Sequence, residues 1–240
     1  LPFINRAFSA YPVGSVFKTV TAISALENNI DFSQIDCKGY TEKSGNIFYC
    51  NKRDGHGIID FKTALSQSCN TYFIELGTKI GGKTLLNTAK KFGFGEPIDI
   101  GNGFTTDGGI LPDLKDLNSD ASVGNFSFGQ GKLTATPLQI ASFYCVIANE
   151  GIYNKPFIYS GFTDFSGEYV PTSQKEGKRL ISRKVCELIG DAMLETTKSG
   201  TGKSASSSLF KIASKTATAQ SGIYDKNGNE IKYSWFVGFF

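Results

Sequence analysis

No stretch of this sequence approaches the ~18 consecutive apolar residues of a membrane-spanning helix; the richest runs are Ile140–Ala148 and Trp235–Phe240. There is no signal peptide, and the chain starts at Leu, not Met, and stops inside an apolar run, so it reads as a piece of a longer protein. Charge of one sign is missing too. Lys and Arg number 25 against 22 Asp and Glu, a net +3, which offers no clustered basic face for nucleic acid. Five cysteines are too few for a disulfide-dense scaffold. There is no internal repeat or low-complexity linker, and His56 is the single histidine.

What is present fits a globular domain: 40% hydrophobic and 20% charged residues, in a chain long enough to bury roughly 70% of its unfolded surface. Glycine is plentiful, 27 of 240, which suggests tight turns and close backbone approaches around a groove. Val16, Val20, Ile23 and Leu26 recur at helical spacing and predict a helix over 15–28. Asp60–Lys79 holds two helical pieces around Ser66–Asn70, and Thr84–Phe92 a short helix. Glu96–Asn125, rich in Gly, Asp and Asn, reads as loop. Thr136-Pro137-Leu138-Gln139 is a helix start, with Thr as cap, Pro at the first position and Gln three residues on; that helix should end near Asn149 with Gly151 after it. Ser182 caps another, ending near Thr197. Phe157–Phe162 and Leu209–Gln220 read as strands, and Lys226-Asn227-Gly228-Asn229 as a hairpin turn into a strand Lys232–Phe240. A leading helix, a helical middle and a closing strand pair make an α/β (α+β) chain, without the alternation of a parallel sheet.

Three short motifs carry chemistry. In Ser15-Val16-Phe17-Lys18 at a helix start, a lysine one turn from a serine could take its hydroxyl proton, and free N–H groups at the helix N-terminus could hold an oxyanion. The bland alternative is a capping serine and a surface lysine; the spacing recurs at Ser208–Lys211 with no role assigned. Ser68-Cys69-Asn70 sits at a helix break, where a hydroxyl can relay a proton and an amide can hold a substrate amide, yet Ser44-Gly45-Asn46 also fits that pattern. Lys215-Thr216-Ala217-Thr218 lies in a strand before a hairpin; Lys198-Ser199-Gly200-Thr201 is a decoy without that context. Gly200–Ser204 lacks the first glycine of a phosphate loop, and Asp225–Glu230 has its glycine misplaced for a calcium loop.

Their order decides the matter. Ser-x-x-Lys, then Ser-x-Asn, then Lys-Thr-small is the active-site set of penicillin-binding proteins and serine β-lactamases. Over essentially all 240 residues the sequence resembles the D,D-transpeptidase domain of a class B (monofunctional) penicillin-binding protein. The resemblance rests on Asn5-Arg6-Ala7, Tyr11–Lys18, Ser68–Phe73, Phe128–Gly131 followed by Thr136–Gln139, Ala148–Gly151, Lys215–Gln220 and Trp235–Gly238. It implies a penicillin-binding-protein/serine β-lactamase-like fold: a central antiparallel sheet flanked by helices, plus a mainly helical subdomain. Residues 1–240 would form a single transpeptidase domain, the helical subdomain over roughly 31–150 and the sheet-bearing part over 1–30 and 151–240. An N-terminal anchor and pedestal, and a last strand and helix, are expected outside the chain. Two positions depart from the family: Ala217 where a glycine is usual, which crowds bulky ligands, and Tyr-Pro-Val-Gly before the nucleophile, which alters the turn.

The resemblance further implies a peptidoglycan transpeptidase acting on stem peptides ending in D-Ala-D-Ala, acylated by β-lactams, at the extracytoplasmic face of a bacterial membrane. Glycan polymerases and other division or elongation proteins would be partners of the full-length parent. Ser15 is the expected nucleophile and Lys18, uncharged, its base; Lys215 stays protonated; Ser68 shuttles the proton. Asn70 holds the substrate amide, Thr216 and Thr218 the terminal carboxylate, and the strand passes the substrate at Ala217. The N–H groups of Ser15 and Thr218 form the oxyanion hole. A serine β-lactamase or a β-lactam sensor is the alternative, though no Glu-x-x-Asn segment supplies a deacylating base, and a non-catalytic scaffold is a third reading. No cofactor is implied for catalysis. Cys37, Cys50 and His56 fall within 20 residues, with Asp36 and Asp54 alongside. A Cys37–Cys50 disulfide, a structural zinc held by Cys37, Cys50, Asp54 and His56, and free thiols all stay open. Cys69 reads as a buried filler, and Cys145 and Cys186 as core.

Overall fold

Helix α1 (Lys18–Glu27) owes its place to its composition. Thr, Ala, Ser and Val make up much of it, and all residues from Lys18 to Ala25 are buried. A helix without a polar face has to be enclosed, and α1 is, by the helices Asn70–Ile80, Gly82–Lys91 and Arg183–Lys198. Its buried hydroxyls are all paired: Thr19 with the Tyr144 hydroxyl (2.8 Å), Thr21 donating to the Ser127 carbonyl (2.6 Å), and Ser24 accepting from Thr88 (2.9 Å). The computed structural model describes residues 4–31, 34–101, 103–172 and 176–240.

Helices α2 (Phe61–Ser66, capped by Asp60) and α3 (Asn70–Ile80, capped by the Cys69 sulfur) start at side-chain caps; α4 (Gly82–Lys91) starts at Gly81 without one. Helix α6 (Pro137–Ala148) has the expected reciprocal Thr136–Gln139 box, and α7 (Arg183–Lys198) is capped by Ser182. Gln139 does more than cap: its amide nitrogen also reaches the carbonyls of Gly93, Glu96 and Gly108, tying the loop before α5 to α6. Two expectations fail locally. A 3-10 turn, Gly14–Phe17, precedes α1, so Ser15 lies just before the α-helix. Helix α5 (Asp120–Ser127) occupies the end of the presumed loop Glu96–Asn125. Its Ser, Gly and Asn content is poor for an isolated helix; packing of Val123 and Phe126, and close approach to α3 at Gly77, make it one.

Every strand pairing among the described residues is antiparallel and two-stranded. The dominant one is a hairpin of Ala213–Tyr224 and Glu230–Phe239, with Lys215 opposite Val237 and Ala217 opposite Trp235. It starts at Ala213, where pairing with Phe239 begins, and not at Leu209; Leu209 and Phe210 are exposed. Of the strand read at Phe157–Phe162, only Gly161 and Phe162 pair, in a strand Gly161–Thr163 opposite Tyr169–Pro171. Helix α7 packs on the first hairpin strand, which also meets the Gly14–Phe17 turn. Mixed helices and antiparallel pairs make the α+β pattern that the sequence suggests. Two smaller pairings, Ile35–Cys37 with Gly57–Ile59 and Tyr40–Lys43 with Asn46–Tyr49, fold the segment before α2 onto α3. Among the described residues no helix is long and apolar enough to cross a membrane.

Tyr144 on α6 reaches α1 and the turn before it: its hydroxyl donates to the Val16 carbonyl (2.9 Å) and meets Thr19. Both partners are buried. Tyr144→Phe should therefore lower unfolding stability in urea by about 1–3 kcal/mol at an unchanged m-value. A loss below about 0.5 kcal/mol would show that the hydroxyl holds nothing in place.

Candidate active site

Ser15 is fixed by its neighbours. Gly14 adopts φ +57°, and a β-carbon there would lie 3.1 Å from that of Ala219; its N–H donates to the Gly129 carbonyl (3.0 Å). The Trp235 indole donates to the Pro12 carbonyl (2.9 Å), so the hairpin holds the approach to the turn. Ser68 sits between α2 and α3 at φ +56°, a left-handed conformation unfavourable for a residue with a side chain. That bend aims its hydroxyl at two amines. Lys215 donates to Ser68 Oγ at 2.9 Å and Lys18 at 3.2 Å.

Both lysines are wholly buried. Lys18 also donates to the Ser68 carbonyl and to Asn70 Oδ1, each at 2.6 Å; Lys215 donates to the Thr216 carbonyl at 2.8 Å. Asn70 donates in turn to the Tyr49 carbonyl (2.9 Å). Burial lowers Lys18 from 10.5 to about 8, against an opposing effect of the Cys69 and Cys50 sulfurs. Burial, and then the charge of Lys18, push Lys215 well below 10.5. The sequence reading kept Lys215 protonated and made Lys18 the neutral partner; the structure presses the neutral form on Lys215 as well. The Lys18 amine is committed to Ser68 and Asn70, and among the described residues no hydrogen bond joins it to Ser15.

Ser15, Ser68, Asn70, Thr216, Ala217 and Thr218 line one cavity of about 400 Å³. Lys18 and Lys215 lie beneath it. The three motifs, 200 residues apart at their extremes, thus meet in one place. Asn51, Phe128, Gln130 and Thr201 complete the wall. Phe128 and Gln130 belong to a motif read only as family likeness, and Thr201 to a decoy. Asn51 had no signal beyond following Cys50.

Behind this wall, Cys37, Cys50, Cys69 and His56 converge, their sulfur and imidazole atoms all within 4.8 Å of one another. His56 Nδ1 is 3.5 Å from both Cys37 Sγ and Cys50 Sγ, and Cys50 Sγ is 3.7 Å from Cys69 Sγ. Bonds of about 2.3 Å to sulfur and 2.0–2.1 Å to nitrogen in a tetrahedron put sulfurs about 3.8 Å apart and sulfur and nitrogen about 3.5 Å apart. Three of the six donor–donor distances thus match the edges of such a tetrahedron. Of the alternatives open for Cys37 and Cys50, the disulfide is not formed: both sulfurs turn to His56, and Cys50 Sγ also meets Cys69 Sγ. Asp54 is exposed and outside the cluster; its place is taken by Cys69, which is no mere filler. Cys186 is buried, but Cys145, read as core, is exposed on α6.

Residues 2–240 match the family model described as penicillin binding protein transpeptidase domain. The chain is 31% identical over 242 residues to the stage V sporulation protein D of Bacillus subtilis, covering 97% of this chain and 36% of that protein. It is 30% identical over 261 residues to the peptidoglycan D,D-transpeptidase MrdA of Acinetobacter baumannii, covering 99% and 38%. Among solved structures, the ceftriaxone acyl-enzyme complex of penicillin-binding protein A from M. tuberculosis superimposes with a TM-score of 0.86 at 26% identity, covering 99% of this chain and 54% of that one. The chain thus spans between about a third and half of the proteins it matches.

The buried amines have a consequence for stability. Between about pH 8 and 10.5 folded Lys18 has shed its proton while the unfolded chain still holds it, so stability rises with pH across that window. Lys18→Met removes this contribution. The stability of the unaltered chain minus that of the variant should climb by up to about 3 kcal/mol from pH 8 to 10.5 in urea titrations. A flat difference would mean that Lys18 titrates normally.

Proposed function

The chain belongs to the penicillin-binding protein transpeptidase family, with class B members among its relatives, and from that premise we propose that it carries the acyl-transfer core of a peptidoglycan D,D-transpeptidase. The observation that supports this most is the Ser68 hydroxyl, held between two buried amines beside the cavity that Ser15 lines. Ser15 Oγ attacks the penultimate D-Ala carbonyl of a stem peptide. Its proton passes to the Lys18–Ser68–Lys215 network, which returns one through Ser68 to the nitrogen of the departing D-Ala as the C–N bond breaks. The amine of a second stem peptide then takes the acyl group, and the network restores the serine proton. Asn70 orients Lys18 and the substrate amide; Thr216 and Thr218 receive the terminal carboxylate at Ala217; the N–H groups of Ser15 and Thr218 hold the oxyanion. The division into a helical part over roughly 31–150 and a sheet-bearing part over the rest belongs to the same reading. So do the extracytoplasmic location at a bacterial membrane and glycan-polymerase partners in division or elongation.

The test is intact mass over hours with benzylpenicillin. The unaltered chain should gain one drug mass on the peptide that holds Ser15, and Ser15→Ala should gain none. A transient adduct with consumption of the drug would make it a β-lactamase instead. Labelling of Ser15→Ala would overturn the nucleophile.

A second reading concerns the thiol cluster. Cys37, Cys50, Cys69 and His56 fit a structural zinc ion by donor chemistry and by their spacing. When bound, the ion would supply cross-linking, not catalysis: it would fasten the loop carrying Asn51 to the backbone between Ser68 and Asn70. The purified chain should contain about one zinc per molecule by elemental analysis. Cys50→Ser and Cys69→Ser should lose it and Asp54→Ala keep it. Retention in Cys69→Ser would overturn this ligand set.

A further inference from the structure

The segment Gly200-Thr201-Gly202, set aside in the sequence as part of a decoy and a false phosphate loop, is clamped between two of the active-site motifs. The Thr201 N–H donates to the Ser66 carbonyl (3.1 Å), at the end of α2 and two residues before Ser68. The Thr201 hydroxyl lies 2.5 Å from that of Thr216. The flanking glycines explain how the segment fits. A β-carbon at Gly200 would run into the Ser66 carbonyl oxygen, and one at Gly202 would lie 2.6 Å from Ser214 Oγ. Thr201 also lines the cavity. It therefore joins the helix break that carries Ser68 to the strand that carries Lys215 and Thr216.

The hydroxyl pair has a polarity that the cavity's occupant sets. A hydroxyl has one proton to give. If Thr216 donates to Thr201, it has nothing left for an anion in the cavity. If Thr201 donates to Thr216, the Thr216 proton is free to point at a carboxylate. The other acceptor for Thr201, the Ser66 carbonyl, is 3.5 Å away, too far to compete.

Resting on the transpeptidase reading above, we propose that Thr201 is a positioning residue for carboxylate recognition: it donates to Thr216 and so aims the Thr216 hydroxyl at the anionic end of the substrate. No bond is made or broken at Thr201. Its effect falls on ligands with a carboxylate beside the reactive carbonyl and spares those without one.

The experiment compares acylation rates of two probes, benzylpenicillin and its methyl ester, which lacks the anion. Thr201→Val should slow benzylpenicillin about tenfold and leave the methyl ester within about twofold, and Thr201→Ser should restore the rate. Thr201→Val added to Thr216→Val should change nothing further, because the two hydroxyls act as one unit. Equal loss with both probes would make Thr201 merely structural and overturn the proposal. So would unchanged benzylpenicillin acylation, or effects of the two variants that multiply. Benzylpenicillin binding to Ser15→Ala, with and without Thr201→Val, reads carboxylate recognition with no chemistry. Failure of the unaltered chain to acylate would sink the transpeptidase reading, whereas equal binding in that pair of chains would sink the role of Thr201.

Discussion

Two lysine amines are buried side by side around one serine hydroxyl, and most of the molecule is arranged to make that tolerable. Burying even one ammonium is costly unless it is fully hydrogen-bonded, and a second like charge nearby adds repulsion. The chain meets this with acceptors from separate elements: the Ser68 carbonyl and hydroxyl, the Asn70 side chain and the Thr216 carbonyl. Each must be placed to within a few tenths of an ångström. The strained turn at Ser68, the enclosed small-residue helix α1 and the long hairpin strand are the means of placing them.

The site was legible in the sequence to the extent that its chemistry is local. Ser15 and Lys18 are one turn apart, Ser68 and Asn70 two residues, and Lys215, Thr216 and Thr218 share a strand. Each spacing has a decoy elsewhere in the chain, and it was resemblance to the family's ordered set that grouped them. Thr201 and Asn51 were not legible, because what brings them to the cavity is a backbone contact with a distant carbonyl: Ser66 for one, Gln67 for the other. Nothing in side-chain spacing encodes such a contact. Helix α5 was missed for a related reason, since its Ser, Gly and Asn content hides a helix that packing against α3 completes. The capped helices α6 and α7 were found because Thr136 and Ser182 act within one turn of themselves. The balance between the two lysines also escaped a reading from sequence, since it depends on how completely both are buried.

The thiol cluster stands next to this arrangement. Cys69 lies between Ser68 and Asn70 in the chain, caps α3 through its sulfur, and joins Cys37, Cys50 and His56. The Cys50 sulfur also donates to Asn51, which in turn holds the Gln67 carbonyl (3.1 Å). Asn51, Ser68 and Asn70 of the cavity wall are therefore chain neighbours of Cys50 and Cys69. Spacing in sequence pointed to Cys37, Cys50 and His56, but the fourth donor comes from a helix cap 13 residues beyond His56.

Among the described residues no hydrogen bond holds the Ser15 hydroxyl, while the amines beneath it are engaged with Ser68 and Asn70. On the proposed mechanism, Ser15 becomes reactive as an occupant reorganises that network. Discrimination between occupants then lies in how fast each reacts as well as in how tightly each first settles. For a compound that reacts with such a serine, potency is set by the duration of exposure as much as by concentration. Two compounds of equal initial affinity would separate only with time.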